Sequence, residues 1–212
     1  MPKPKARHRN IFVALLRGVN VGGKNNLRMS ALKTSLSKAG FQDVATYINS
    51  GNVIFTSSET DPRKLETKIE RLLTAHHKLE CKVVVRSLSE MEKLVEGLPA
   101  AWKGDKEWAH NVMFLRHSID SKDVIKELGA KPGIEKVLYR PGTVLWSARL
   151  SDIKQSTMNK LSSRRVFQDM TVRNPNTTRK LYDLMKEMAG SQFDSDALTD
   201  GSGNTSHSKN SR

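Results

Sequence analysis

Apolar residues in the first half of the chain recur with two different periods. Short apolar or alternating runs predict strands, whereas apolar residues three and four positions apart predict amphipathic helices. Ser50-Gly51 lies between two predicted strands and indicates a hairpin. The first half therefore predicts strands at 11–17, 45–49, 52–57 and 81–86, with helices opening at Ser30 and at Asp61-Pro62.

The same order of elements recurs in the second half of the chain. Asp120 is the predicted start of one helix and Thr177 of the last one, and a weaker helical pattern covers 152–163. Pro141-Gly142 indicates a second hairpin. The predicted strands are 111–116, 136–140, 143–149 and 170–173.

Each half thus has the order βαββαβ, which is typical of a four-stranded antiparallel sheet with both helices on one face. The predicted fold class is α/β, more strictly α+β, with two tandem ferredoxin-like units (α-β plaits) and a connecting helix. One mixed sheet built by both halves is the alternative. The predicted boundaries are 10–86 for the first unit, 87–109 for the connector and 110–190 for the second unit.

The two ends of the chain differ from the rest in composition. Residues 1–9 are basic and contain proline, and residues 191–212 are rich in Ser, Asp, Gly and Asn. Segments of this kind bury too little apolar surface to fold. We predict a disordered basic tail at 1–9 and a disordered polar tail at 191–212.

Composition also bears on the compartment. Cys81 is the single cysteine, so no internal disulfide can form and nothing indicates an oxidising environment. No apolar run approaches the roughly 20 residues of a membrane span. We expect a soluble, cytoplasmic protein with no membrane partner.

Positive charge is concentrated in two segments of this basic protein. The formal net charge is +14; residues 1–42 contain nine Lys and Arg and no acid, and residues 140–180 contain nine against two acids. Such segregation favours a polyanionic partner. The alternative is a basic surface that serves only solubility. Nucleic acid and a phosphorylated small molecule are the candidate ligands.

A glycine-rich loop follows the first predicted strand. Its sequence from Gly18 to Asn25, GVNVGGKN, nearly matches the phosphate-binding pattern G-x-x-x-x-G-K-[ST]. Asn25 replaces the hydroxyl that would bind Mg²⁺, and no apolar strand ending in Asp supplies a second metal ligand. We expect no nucleotide hydrolysis, although backbone N–H groups flanked by Arg17 and Lys24 can hold an anion.

Topology predicts which polar residues meet at this loop. In a ferredoxin-like unit, the end of the first strand and the hairpin between the second and third strands lie at the same edge of the sheet. The set contains cations and amides but no carboxylate, which suits anion binding better than proton transfer. The asparagines could equally serve only to hold the loop backbone. The predicted ligand-binding residues are Arg17, Asn20, Gly22, Gly23, Lys24, Asn49, Ser50 and Asn52.

An enzyme acting on a small anionic substrate at the same place is the alternative function. Ser50 and Cys81 are the candidate nucleophiles, but no general base can be assigned, and no Ser/His/Asp arrangement stands out. Histidine and cysteine do not have the spacing of metal ligands. We therefore assign no catalytic residue and expect no metal and no cofactor.

Three stretches resemble one bacterial family. Residues 15–25 (LLRGVNVGGKN) resemble the opening signature of the family called domain of unknown function 1697, and residues 47–55 (YINSGNVIF) resemble its second signature. Residues 171–177 (TVRNPNT) resemble a third, with Pro175 where the family usually has Trp. The resemblance spans residues 10–188 and implies a tandem α-β plait. It implies no activity, because none is established for the family.

Overall fold

The computed structural model describes residues 10–20 and 26–200, with side chains as far as residue 191. Its strands form two separate four-stranded sheets, so the alternative prediction of a single mixed sheet is wrong. The first sheet has the order β2-β3-β1-β4, with β1 antiparallel to both neighbours. These strands are β1 (Asn10–Leu16), β2 (Gln42–Tyr47), β3 (Asn52–Ser57) and β4 (Val83–Ser87).

Two helices cover one face of the first sheet, α1 (Met29–Lys38) and α2 (Pro62–His77). Asp61 caps α2 as predicted, because its carboxylate accepts a hydrogen bond from the backbone N–H of Arg63 at 2.9 Å. The predicted cap of α1 is wrong. Arg28 occupies the N-cap position of α1 without a side-chain hydrogen bond, and Ser30 lies inside the helix.

The second sheet repeats the topology of the first in the order β6-β7-β5-β8. Both sheets thus have the ferredoxin-like strand order, which confirms the predicted fold class. The strands are β5 (Trp108–Leu115), β6 (Glu135–Arg140), β7 (Thr143–Arg149) and β8 (Met170–Arg173). The helix between β5 and β6, α4 (Val124–Leu128), starts after Asp123 and not at Asp120 as predicted.

The second helix of this unit is replaced by 3₁₀ turns at Leu150–Gln155, Thr157–Ser163 and Arg165–Asp169. A buried carboxylate on β6 holds them: Glu135 accepts hydrogen bonds from the hydroxyls of Ser156 and Thr157 at 2.6 and 2.7 Å. Burial alone would raise the pKa of Glu135, but these hydroxyls and nearby backbone N–H groups outweigh it and lower that pKa. The predicted helix at 152–163 is therefore wrong, because polar side chains draw this segment into local hydrogen bonds.

Two further helices pack between the sheets, α3 (Leu88–Glu96) and α5 (Pro175–Asp200). The S-x-x-E spacing of Ser87 and Glu90 predicts a capping box, and these residues form one at the start of α3. The last helix begins at Pro175, where the side chain of Asn174 accepts from the backbone N–H of Thr177 at 2.7 Å. Thr177 is thus inside the helix and is not its cap.

The backbone of α5 is helical as far as Asp200, ten residues beyond the predicted boundary at 190. Extending an existing helix costs little, since each added residue gains one hydrogen bond. The predicted basic tail at 1–9 and the end of the predicted polar tail, residues 201–212, lie outside the described residues.

A central core joins the two units. Phe12 and Leu16 lie on the face of β1 that packs under α1 and α2. Val13 and Leu15 lie on the opposite face, in a cluster that also contains Val112 of β5 and side chains of α3 and α5. Burial of both faces explains the unbroken apolar run of β1. The predicted boundaries of the units stay a prediction, but the connector contributes to a core that both units share.

Within residues 10–20 and 26–200, no helix combines the length and the apolar character that a membrane span requires.

Candidate functional site

The two units contain matching hydrogen bonds where their first strands end. In the first unit the N–H of Leu16 donates to the carbonyl of Gly51 in the hairpin, at 2.8 Å. In the second, the N–H of Leu115 donates to the carbonyl of Gly142, at 2.9 Å. Each strand end and hairpin therefore meet at one sheet edge, as the topology predicts.

An arginine from the second unit reaches the edge of the first. Arg173, at the end of β8, donates from Nε to Asn52 Oδ1 at 2.6 Å. One of its terminal nitrogens donates to the carbonyls of Leu16 at 3.0 Å, Ser50 at 3.1 Å and Gly51 at 3.3 Å. Burial lowers the pKa of Arg173 to about 10, so the side chain is still a cation at neutral pH.

The other guanidinium nitrogen of Arg173 donates within β8, to the hydroxyl of Thr171 and the carbonyl of Val172, both at 2.8 Å. None of the hydrogen-bond partners that the structure describes for Arg173 is a carboxylate. The cation is instead solvated by backbone and amide oxygens, as a water shell would solvate it. Arg173 thus binds the second unit to the hairpin of the first.

A second arginine makes the reciprocal contact. Arg86 lies on β4, the last strand of the first unit, and is buried. Its guanidinium donates to the carbonyl of Leu115 and, at 2.8 Å, to that of Gly142 in the second unit. Burial lowers the pKa of Arg86, and the carboxylates of Glu90, Glu66 and Asp120 oppose that shift. Each unit therefore inserts an arginine from its last strand into the strand end and hairpin of the other.

The predicted loop residue Asn20 has a structural role. It has a positive φ of 56°, a conformation that asparagine tolerates better than most residues. Its Nδ2 donates to the carbonyls of Leu27 at 2.9 Å and Asn49 at 2.7 Å, and its Oδ1 accepts from the N–H of Leu27 at 2.7 Å. Asn20 therefore joins Leu27 to the hairpin at Asn49. The predicted ligand residues Gly22, Gly23 and Lys24 lie outside the described residues.

The predicted hairpin residues are engaged in protein contacts as well. Asn52 is fully buried and donates to the carbonyl of Tyr47 at 3.1 Å and to Ser50 Oγ at 3.0 Å. With its oxygen also bound to Arg173, the side chain of Asn52 uses both its donor and its acceptor groups in protein contacts. Asn49 contributes its backbone carbonyl to Asn20. The structure thus brings Asn20, Asn49, Ser50 and Asn52 together, in the arrangement expected of residues that hold the backbone.

Arg17 differs from these residues. Its Nε donates to the carbonyl of Phe167 at 3.0 Å, and its guanidinium carbon lies 4.9 Å from the centre of the Phe167 ring. Among the described residues, its two terminal nitrogens have no hydrogen-bond partner. The side chain is half-buried, so a held guanidinium retains donors that can bind an anion.

Cys81 lies at the same edge, next to Arg17. Its Sγ is 3.3 Å from the carbonyls of Arg17 and of Lys82. Burial raises the pKa of the thiol to about 11, because the thiolate would lose its hydration. A thiol with this pKa is protonated at neutral pH and is a poor nucleophile. This geometry argues against Cys81 in the alternative enzymatic function.

Sequence reasoning also missed a row of three side chains that joins the connector to the second unit. His110 Nδ1 lies 2.8 Å from Ser147 Oγ, and His110 Nε2 lies 2.9 Å from Asp105 Oδ2. The row resembles a Ser-His-Asp relay, but Ser147 is only 5% exposed in the interior of β7, and the Trp102 ring stacks on His110 with centroids 4.5 Å apart. These contacts fasten the connector to the second sheet and leave no access for a substrate.

Neither inter-unit arginine was a predicted site residue, because a sum of charges counts Arg173 as a surface cation. The signal available was its position at the end of the short strand 170–173, where an inward-facing arginine requires buried acceptors. Residues 171–177 resemble a family signature, but this resemblance alone assigns Arg173 no role.

The fold and this edge define a class of protein: a duplicated ferredoxin-like chain whose two units exchange buried arginines. The chain belongs to the family described as Protein of unknown function (DUF1697), whose model matches residues 10–146. That match includes the first two signature stretches and ends before residues 171–177.

A solved structure supports the same fold. The chain is similar to the conserved bacterial protein SP0830 from Streptococcus pneumoniae, with a TM-score of 0.73 and 27% sequence identity. The similarity covers 84% of this chain and 99% of that one. No curated protein matches the chain.

Proposed function

We propose that this protein is a binding module for an anionic ligand, and that the ligand binds at the loop after β1. The observation that carries the proposal is Arg17. Its Nε and ring contacts with Phe167 hold the guanidinium in place, while its terminal nitrogens have no partner among the described residues. A pre-positioned guanidinium binds phosphate or carboxylate without the entropic cost of ordering a free side chain.

The surrounding residues divide into two roles. Arg17 and Lys24 provide positive charge, and the backbone N–H groups of Gly22 and Gly23 provide directed donors. Asn20, Asn49, Ser50 and Asn52 hold the loop and the hairpin in register. The predicted ligand-binding set thus divides into four residues that contact the ligand and four that support them.

An enzymatic reaction is less well supported at this edge. The Cys81 thiol has a raised pKa, and Ser50 Oγ accepts from Asn52 with no basic side chain among its described partners. A hydroxyl without a base is a weak nucleophile. Binding is therefore the function that this geometry favours over catalysis.

The double variant Arg17→Ala/Lys24→Ala tests the proposal. Inorganic pyrophosphate and a labelled single-stranded oligonucleotide serve as probes, in calorimetry and fluorescence anisotropy. The loss of charge-assisted hydrogen bonds, at about 1.5–3 kcal/mol each, weakens binding at least about tenfold. Lys33→Ala/Lys38→Ala is the matched control, since it removes the same charge from exposed positions on α1.

The dependence on salt separates the two candidate ligands. An oligonucleotide that contacts several phosphate-binding groups loses affinity steeply, with a slope of about −0.7 per contact for a single strand. A small phosphorylated ligand shows a shallow dependence. If a folded Arg17→Ala/Lys24→Ala variant binds each probe as tightly as the parent chain, the loop has no ligand and the proposal fails.

A further inference from the structure

The exposed face of α2 carries a basic surface that summed charges do not reveal. We define the α2 basic surface as Arg63, Lys64, Lys68 and Arg71, all exposed and lining a shallow open groove together with Thr67. The helix also contains Glu66 and Glu70, which offset half of this charge in a count along the sequence. A count along the sequence, four cations against two acids, therefore gives α2 a net charge of only +2.

The two glutamates point away from this surface. Glu66 accepts a hydrogen bond from the N–H of Val85 at 3.0 Å, and Glu70 accepts from the N–H of Val83 at 3.0 Å. These N–H groups belong to the edge strand β4, which has only one neighbouring strand. The carboxylates thus satisfy the open edge of the sheet.

Arg116 from the second unit completes this inner layer of charge. It forms ion pairs with Glu70 and, at 3.8 Å, with Glu66. The acids of α2 thus face the sheet and Arg116, whereas the cations of the α2 basic surface face solvent. Two carboxylates of the described residues lie beside this surface: Asp61 caps α2 at the N–H of Arg63, and Glu59 lies 3.7 Å from Lys64 Nζ, in a pair that is 70% exposed at the lysine. Because this ion pair is so exposed, solvent and salt screen it, and it contributes little to stability.

We infer that the α2 basic surface binds the phosphate backbone of double-stranded nucleic acid. Its cations extend from residue 63 to residue 71, about 12 Å along the helix axis. A duplex carries one charge per about 1.7 Å. A row of cations of this length therefore matches a polymer of phosphates better than a single small anion.

The composition of the surface does not suit a membrane or an apolar protein interface. It contains no exposed apolar side chain, whereas a membrane-binding helix buries an apolar face in the lipid and protein interfaces depend on apolar or aromatic anchors. Phe41 lies beneath it, only 3% exposed, with Lys68 Nζ 4.6 Å from its ring centre. Without an exposed ring, the surface lacks the stacking platform that single strands use. Duplex backbone is the partner that remains.

The triple variant Arg63→Gln/Lys64→Gln/Arg71→Gln tests this inference. Glutamine preserves helix propensity, and Lys68 is retained because it packs on Phe41. The control is Lys122→Gln/Lys154→Gln/Lys160→Gln, which removes the same charge from exposed positions of the second unit. Thermal melting verifies that both variants fold.

The readout is fluorescence anisotropy of a labelled duplex over a series of salt concentrations. Each lost phosphate contact reduces the slope of log affinity against log salt by about 0.9, so the triple variant lowers it by about 2.7 and weakens binding at about 0.1 M salt by two to three orders of magnitude. The control keeps the parent's slope to within about 0.9, the contribution of one phosphate contact.

Two results would overturn the inference. Equal losses in the triple variant and its control would mean that duplex binding depends on net charge and not on α2. Tight binding of polyglutamate through these three residues, with no binding of duplex, would assign the surface to an acidic protein. Arg17→Ala/Lys24→Ala is measured in parallel, and its effect decides the loop proposal independently of α2.

Discussion

Replacing Arg173 with methionine is the most direct test of how the two units are joined. Methionine keeps a long flexible stem in the buried space but removes the guanidinium. The variant loses the hydrogen bonds that Arg173 donates to the first unit. Three acceptors then lack this donor: Asn52 Oδ1 and the carbonyl oxygens of Leu16 and Ser50. Gly51 is affected less, because its carbonyl still accepts from the N–H of Leu16.

Two terms of opposite sign determine the size of the effect. A hydrogen bond to a charged group contributes about 1.5–3 kcal/mol, so losing three of them costs roughly 6 kcal/mol. The variant also avoids burying a cation. Burial lowers the pKa of Arg173 to about 10, well below the ordinary value of an arginine, and at about 1.4 kcal/mol per pKa unit the relief is roughly 3 kcal/mol. We expect a net loss of about 3 kcal/mol in the free energy of unfolding.

Urea denaturation measures this loss, and the melting temperature should fall by about 2–4 °C for each kcal/mol lost. Arg165→Met is the matched control: the residue is exposed, in the same unit, and its replacement should change stability by less than about 0.5 kcal/mol. A double-mutant cycle of Arg173→Met with Asn52→Leu should give a coupling energy of about 1.5–3 kcal/mol. Additive effects, or a stability equal to that of the control, would refute the reasoning.

Two further predictions concern the same edge. In the unfolded chain the thiol of Cys81 loses its proton above its ordinary pKa of 9.0, whereas in the folded chain it keeps the proton up to about pH 11. The free energy of unfolding should therefore fall between pH 9 and 11, by about 1.4 kcal/mol per pH unit. Denaturation curves of Cys81→Ala should lack this slope, and a pH dependence identical to the parent's would contradict the burial argument. Gly51→Ala should destabilise the fold by about 1–3 kcal/mol more than Gly104→Ala. Both glycines have positive φ, but a Cβ at Gly51 would lie 2.7 Å from Leu16 Cβ while one at Gly104 meets nothing within 4 Å; equal melting temperatures would show that the hairpin accommodates the methyl group.

Local patterns predicted those features whose causes are local. The hairpins at Ser50-Gly51 and Pro141-Gly142, the cap at Asp61 and the capping box at Ser87 each depend on neighbouring residues. They were predictable because the same few side chains that define the pattern also satisfy the backbone. The duplicated element order was sufficient to predict the strand order of both sheets.

Predictions failed where distant residues compete with local preference. The segment 152–163 has a helical pattern, but Ser156 and Thr157 bind Glu135 on a strand more than fifteen residues away. The glutamates of α2 look like surface residues in a helix of mixed charge, yet they bond the open edge of β4. Their orientation depends on where the sheet ends.

The fold class, the repeat of two βαββαβ units and the approach of the end of β1 to the hairpin could all be predicted from the order of residues alone. These follow from hydrophobic periodicity and turn chemistry, which act over a few residues. Three features became visible only in the folded chain: Asn20 and Asn52 hold the backbone, Arg17 keeps donors without a described partner, and Arg86 and Arg173 cross between the units. The physical reason is that a polar side chain bonds the acceptors that packing places around it, and those acceptors lie up to 157 positions away along the chain, as for Arg173 and Leu16.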